Sequence, residues 1–391
     1  MQEMLSFDNF KLTVLEDFRI AMLSREVSLL GRKEVLTGKA KFGIFGDGIE
    51  LPQLVMAKYF KKGDFRAGYY RDQTFMFASG ITSVEQYFAQ LYADIENDPF
   101  SGGRQMNAHF SSPNIDKDGN WLPLAEMKNI TSDIAPTAAQ MPRSLGLAYS
   151  TNCFKKAVNN PNFSHLHTGD EVCFCSIGDA STSEGIFWET INAAGVLQVP
   201  LAIFVWDNGY GISVPTLFQT TKGSISKVLK GFEIDENDKN LHGFKIYTIK
   251  GWDYVTLCET IELGIEEIRK TSTPAIFHIE ELTQPQGHST SGSHERYKTK
   301  ERIQWEKNWD CILKFQEWII ENELASQEQL NEIVNKVKLE VMQGRDNAWN
   351  KYQLNFKPII DKLTLFNSSI NFTYPDEVQR ILNDLFNSKD L

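Results

Sequence analysis

Three apolar runs stand out in the middle of the chain: EVCFCSI over Glu171–Ile177, PLAIFVW over Pro200–Trp206 and PAIFHIE over Pro274–Glu280. Each is short and continuous, without strict alternation, and a turn signal directly follows the first two: Gly178-Asp179, then Asp207-Asn208-Gly209. Such runs predict strands covered on both faces. Between the first two, Ser183 to Val196 reads as a helix, with Ser183 as N-cap and Ala193 and Ala194 as strong helix formers. Strand, helix and strand in this order predict a parallel pair with a right-handed crossover. A further helical period, Tyr254 to Lys270, precedes the third run. The alternation predicts an α/β fold: a doubly wound parallel sheet with helices on both faces.

The flanks differ in character. Up to about Leu91 the chain is charged, poor in β-branched runs, and reads as helix and loop. Ser112 to Ser132 is polar and rich in turn formers, among them Pro113, Asn114 and Gly119, and predicts a loop. Beyond Lys300, helices are expected over Trp305–Glu321 and Ser326–Gln343, then an extended segment at Pro358 and a short terminal helix. The resulting division is an N-terminal helical extension over 1–100, an α/β core over 101–299, and a C-terminal helical region over 300–391.

Composition narrows the functional classes. A formal net charge of -11 argues against nonspecific nucleic-acid binding and against anionic membranes, both of which need basic surface. No apolar run approaches a membrane span. The start, MQEMLSFDNFKLTVLEDF, has no basic region followed by an apolar core and carries early acidic residues, so no secretory or transit segment is read there. The five cysteines are scattered, and Cys173 and Cys175 sit in an apolar run as buried thiols. A reducing cytoplasm is expected.

Two polar clusters fall at the carboxyl ends of adjacent predicted strands: GDASTSEG over Gly178–Gly185 and DNGYGIS over Asp207–Ser213. In open parallel sheets that edge binds ligands. The first cluster offers a carboxylate, small residues and a helix N-terminus whose N–H groups suit a phosphate. Asp179, the Asn208 amide oxygen and the backbone carbonyl of Tyr210 make an oxygen-donor set of the kind magnesium takes with phosphate oxygens and water. Either cluster alone is also ordinary capping or turn chemistry. Together, across one strand–helix–strand unit, they are specific.

GDASTSEG followed by WDNGYGIS resembles the thiamine-diphosphate motif, and the best match is to alpha subunits of branched-chain 2-oxo acid and pyruvate dehydrogenases. The resemblance runs from roughly Arg25 to Trp349. Tyr70-Arg71-Asp72 looks like the Tyr-Arg pair that meets the cofactor diphosphate. GRQMNAHF, Gly103–Phe110, is similar to a run of the branched-chain enzymes. APTAAQMP, Ala135–Pro142, resembles the segment along the aminopyrimidine, and GHSTSGSHERYK, Gly287–Lys298, the loop whose first His touches the active centre.

The resemblance implies thiamine diphosphate and Mg2+ as cofactors. Asp179, Asn208 and the Tyr210 carbonyl would hold the metal, and Tyr70 and Arg71 the diphosphate. Gly178, Ala180 and Ser181 would pack beside the cofactor, and Ala135 and Thr137 would contact the pyrimidine. His288 would lie near the thiazolium as a catalytic residue, with His109 as a second. His278 reads as a satisfied core residue. The implied activity is oxidative decarboxylation of a 2-oxo acid with acyl transfer to a lipoyl-bearing acyltransferase. A beta-type subunit would supply the activating glutamate.

The sequence departs from the branched-chain pattern at four positions: Trp206 and Gln284 stand where arginines are expected, Gly292 replaces an Asp and Lys298 an Arg. Two positive charges fewer are therefore expected around the diphosphate. Two alternative readings remain: a catalytically degenerate regulatory or scaffolding subunit, and another metal-dependent α/β enzyme of phosphorylated ligands, although no Gly-x-Gly-x-x-Gly or Walker sequence is present.

Overall fold

The computed structural model describes residues 6–157, 165–235, 242–369 and 375–387. The strands, in chain order, are β1 (Phe65–Ala67), β2 (Asn129–Ile130), β3 (Cys173–Gly178), β4 (Leu201–Trp206), β5 (Tyr210–Gly211), β6 (Val214–Pro215), β7 (Lys245–Lys250) and β8 (Ala275–Glu280). Six of them form one sheet in the order β2-β1-β3-β4-β8-β7, and every pairing in it is parallel. β5 and β6 make a separate antiparallel hairpin.

The three apolar runs are β3, β4 and β8, and nearly every residue in them is buried. Their side chains alternate between two cores. Phe174, Phe204, Trp206 and Phe277 point to one face, and Cys173, Cys175, Ile203, Val205 and Ile276 to the other. A strand buried on both faces has no polar side to show, which is why the runs are continuous.

The first face is covered by α1 (Phe7–Leu36), α2 (Glu50–Lys58), α3 (Gln73–Ala78), α4 (Val84–Leu91) and, further along the chain, α8 (Tyr254–Thr271), α10 (Cys311–Glu321) and α11 (Gln327–Ser369). The second is covered by α5 (Gln140–Ala157), α6 (Gly185–Leu197) and the short α7 (Ile225–Val228). α9 (Lys300–Asn308) precedes α10, and α12 (Asp376–Asn387) is terminal. Among the described residues no helix is long and apolar enough to cross a membrane. All five cysteines are free, and Cys173 and Cys175 are buried.

Several local expectations change. The stretch read as helix and loop contributes β1 to the sheet, and the polar stretch after Ser112 contributes β2, both too short to carry a pattern. α6 begins at Gly185 with Glu184 as N-cap, because a 3-10 turn, Ala180–Ser183, intervenes; the Ser183 hydroxyl donates to the Gln219 carbonyl instead. The helix expected over Trp305–Glu321 is broken between α9 and α10, where the Asp310 carboxylate caps the N–H groups of Ile312 and Leu313. Pro358 is not extended but lies inside α11. It is exposed, so water can serve the carbonyl whose intrahelical partner proline removes.

Candidate active site

The carboxyl edge of the sheet opens into a cavity of about 370 Å³. Four chain segments wall it: the β3 end (Gly178, Asp179, Ala180, Ser181), the β4 end with the hairpin (Trp206, Asn208, Tyr210, Gly211, Ile212), the Tyr69–Arg71 turn, and the loop after β8 (Thr283, Gln284, His288). Thr137, Asp47, Ile49 and Gln219 complete it. The structure thus brings together Tyr70, Arg71, Thr137, Gly178, Asp179, Ala180, Ser181, Asn208, Tyr210 and His288. Ala135 borders a small adjoining recess that shares Tyr69, Tyr70, Thr137 and Ser181 with the cavity. His109 lies elsewhere: it is buried, its Nδ1 is 3.2 Å from the Asn107 carbonyl, its Nε2 has no partner, and it does not line the cavity.

Asp179 follows β3 in register with Asp207 after β4. Burial first, and then the neighbouring Asp207, push the Asp179 carboxyl well above its ordinary value. For Asp207 burial acts the same way, but a hydrogen bond and the charge of His278 outweigh it and hold the group below its ordinary value. Asp179 Oδ2 accepts from the Thr216 hydroxyl at 2.9 Å. Asn208 Oδ1 accepts from the Tyr210 N–H at 3.0 Å, which fixes the turn between the two expected metal donors. The hairpin sits tight on the β3 end: a side chain at Gly211 would lie 2.6 Å from the Ala180 Cβ, so glycine is required there. Among the described residues no three His, Cys, Asp or Glu side chains cluster as a metal site. The donor set present is one carboxylate with an amide and a carbonyl, which fits a hard cation that keeps open positions for water and phosphate.

Arg71 is buried on the opposite wall. Its Nη1 donates to the Phe45 carbonyl at 2.7 Å and its Nη2 to the His288 carbonyl at 2.7 Å, with His288 Nδ1 at 3.0 Å. An arginine is always protonated, so Nδ1 is the acceptor there and the imidazole proton sits on Nε2. No carboxylate among the described residues forms an ion pair with Arg71. Burial, and then the charge of Arg71, lower the His288 pKa to about 4, so the imidazole is neutral at pH 7. The nearest charge of opposite sign that acts on Arg71 is Asp47, which lines the same cavity without pairing with it, and a buried guanidinium left in this way suits an anion. The cavity thus has the Arg71 guanidinium and the Asp179 carboxyl group in its walls.

Both positions where an arginine was expected at the diphosphate, Trp206 and Gln284, line the cavity. The Trp206 indole donates to Asp72 Oδ1 at 3.1 Å, and Gln284 is buried beside Thr283. Sequence reasoning also missed Asp47 and Thr283. Both are buried, and Asp47 Oδ1 and Thr283 Oγ1 have no hydrogen-bond partner. The one available signal was Gly46-Asp47-Gly48, a carboxylate between glycines with Gly48 at φ +93.

Comparison with known proteins finds similarity along most of the chain. The model of the "Dehydrogenase E1 component" family matches residues 19–357. The chain is 25% identical over 339 residues to a 2-oxoisovalerate dehydrogenase subunit alpha of Bacillus subtilis, covering 85% of this chain and 89% of that protein. It is 25% identical over 309 residues to a mitochondrial 2-oxoisovalerate dehydrogenase subunit alpha 2 of Arabidopsis thaliana, covering 78% of this chain and 57% of the relative. It is also 24% identical over 316 residues to a pyruvate dehydrogenase E1 component subunit alpha of Porphyra purpurea, covering 80% and 81%. The chain belongs to the dehydrogenase E1 component family, as an alpha-type component of the thiamine-diphosphate-dependent 2-oxo acid dehydrogenases.

Proposed function

We propose that the cavity takes thiamine diphosphate through Mg2+, and that this chain serves oxidative decarboxylation of a 2-oxo acid of the branched-chain or pyruvate type. The carrying observation is that one cavity is lined by both Asp179 and the buried Arg71, which forms no ion pair among the described residues. Asp179, the Asn208 amide oxygen and the Tyr210 carbonyl would hold Mg2+. Arg71 and Tyr70 would hold the diphosphate; the Arg71 guanidinium lies 5.2 Å from the centre of the Tyr70 ring, which keeps its plane fixed. Gly178, Ala180 and Ser181 would bed the cofactor, with Ala135 and Thr137 at its pyrimidine end.

When bound, thiamine diphosphate supplies the nucleophilic carbon and the electron sink of decarboxylation. This chain's residues bind, orient and manage protons. His288, neutral and donating from Nε2, is the group that would hold or pass a proton at transfer of the acyl group to a lipoyl arm. The activating glutamate is assigned to a beta-type partner, in the same polypeptide or another. The lipoyl group belongs to an acyltransferase. The setting proposed for this chain is cytoplasmic, whereas the relative from Arabidopsis is named as mitochondrial.

Calorimetric titration with thiamine diphosphate, with and without Mg2+, and with ATP and NAD as controls, tests the reading. Binding of thiamine diphosphate alone, and only with Mg2+, is expected. Asp179→Ala should abolish that dependence, since losing a charged metal ligand costs more than an ordinary hydrogen bond of about 1 kcal/mol. Unchanged affinity in this variant would sink the metal assignment. Binding of ATP or NAD in place of thiamine diphosphate would favour the broader phospholigand reading.

A further inference from the structure

Asp179 and Asp207 occupy matching places at the ends of two adjacent parallel strands, because Gly178 pairs with Trp206 in the last rung between β3 and β4. Like charges side by side across a sheet are destabilising. His278 answers this. It pairs with Val205 in β8, so it lies diagonal to Asp207 on the same face of the sheet. Its side chain is fully buried. Nε2 is 2.9 Å from Asp207 Oδ2, and Nδ1 is 2.9 Å from the Ser226 hydroxyl of α7, with Glu280 Oε1 at 3.5 Å. The other Asp207 oxygen accepts from the Gly209 N–H at 2.8 Å. Its backbone is tied on both sides: the Asp207 N–H donates to the Ile279 carbonyl at 2.9 Å, and the Asp207 carbonyl accepts from the Leu282 N–H at 3.1 Å. The Asp207 carboxylate is held at two points and its backbone at two more, beside Asp179 of the neighbouring strand and outside the cavity wall, which is more than packing alone requires.

We infer that Asp207 and His278, backed by Ser226, are a positioning pair for the cation site: they hold Asp179 toward the cavity and set a second negative charge behind it. The inference rests on the reading of Asp179 as a metal ligand. Its chemical sense lies in the two replaced arginines already described. With Trp206 and Gln284 in place of arginines, less of the diphosphate charge is met by protein cations, and more must be met by the divalent metal. A second carboxylate behind Asp179 strengthens the hold on that metal without entering the cavity. An imidazole that clamps a carboxylate from behind does at a metal site what outer partners of metal ligands generally do.

The test measures thiamine diphosphate binding as a function of Mg2+ concentration, by calorimetry on the full chain, in wild type, His278→Ala, His278→Gln and Asp207→Asn. Loss of an outer partner typically lowers metal affinity roughly 10–100-fold. The Mg2+ concentration giving half-maximal cofactor binding should rise by about that factor in His278→Ala. It should rise comparably in Asp207→Asn and be largely restored in His278→Gln, which keeps a donor for Asp207. At saturating Mg2+ all variants should approach wild-type cofactor affinity. If His278→Ala fails to fold, Asp207→Asn carries the test alone, since it keeps size and hydrogen bonding. Unshifted Mg2+ midpoints in variants that bind, with at most a lowered melting temperature, would overturn the positioning role and leave the proposed function standing. A wild-type chain that binds no thiamine diphosphate at any Mg2+ concentration overturns both.

Discussion

Arg66 in β1 and Arg71 in the turn that follows it are both buried, yet their surroundings are opposite. Arg66 donates through Nε and Nη2 to Asp72 Oδ2 at 3.1 and 2.7 Å and through Nη1 to both oxygens of Asp133 at 3.1 Å. Those carboxylates are themselves satisfied: Asp72 by the Trp206 indole and the Ser176 hydroxyl, Asp133 by the Phe110 N–H. Arg71 has two carbonyls, a neutral imidazole and a cavity. A buried charge paired with carboxylates is architecture, whereas one met mainly by neutral acceptors beside a cavity is suited to an anion. At position 206 the indole N–H gives Asp72 a neutral donor.

The largest effect should come from the compensated arginine. Arg66→Met leaves Asp72 and Asp133 buried without their cation, and breaking a buried ion pair on one side costs about 3–5 kcal/mol. Urea denaturation should show a loss of that order, with thiamine diphosphate binding reduced only as far as the fold is. A loss under about 1 kcal/mol would erase the distinction between the two arginines.

Arg71→Ala should do the reverse. Stability should fall by less than in Arg66→Met, because no carboxylate is orphaned. Affinity for thiamine diphosphate with Mg2+ should fall about 10–100-fold, the worth of roughly 1.5–3 kcal/mol for hydrogen bonds to a charged group. Arg71→Lys should recover only part of this, since an ammonium cannot engage two phosphate oxygens with a planar fork. Equal affinity in wild type and Arg71→Ala would remove Arg71 from the diphosphate.

The sequence disclosed these regions unevenly. β3, β4 and β8 were legible because burial on both faces leaves continuous apolar runs, and the ligand edge followed from the polar residues after them. β7 was not read: KIYTIK is an edge strand with half-exposed side chains and mixes charge with apolar residues. Asp179, Asn208, Tyr210 and Arg71 were legible through motifs, whereas Asp47 and Thr283 reach the cavity from segments far apart in the chain, with no spacing to mark them. His278 was read as core, and it is fully buried. Its bond to Asp207 arises from strand register, a relation between strands that no single run of residues displays.

The smallest effect is a pH dependence that links Arg71 to its neighbour. His288 has its pKa lowered from 6.5 to about 4 by burial and then by Arg71. Between those values the unfolded chain binds a proton that the folded chain does not, so stability from this group is present above about pH 6.5 and is lost as pH falls toward 4. Buried carboxylates such as Asp47, whose values burial raises, act in the opposite sense, so the measurement must be a difference between variants. His288→Gln should flatten the dependence of unfolding free energy on pH in that window by less than one proton. Arg71→Ala should flatten it by a smaller amount, because it removes the charge and leaves the burial. Adding His288→Gln to Arg71→Ala should then change less than His288→Gln does alone. Urea denaturation from pH 7.5 to 4.5 gives the four slopes. If the two substitutions act additively, the guanidinium does not govern the imidazole, and the cavity's cationic wall would be Arg71 alone rather than an Arg71–His288 unit.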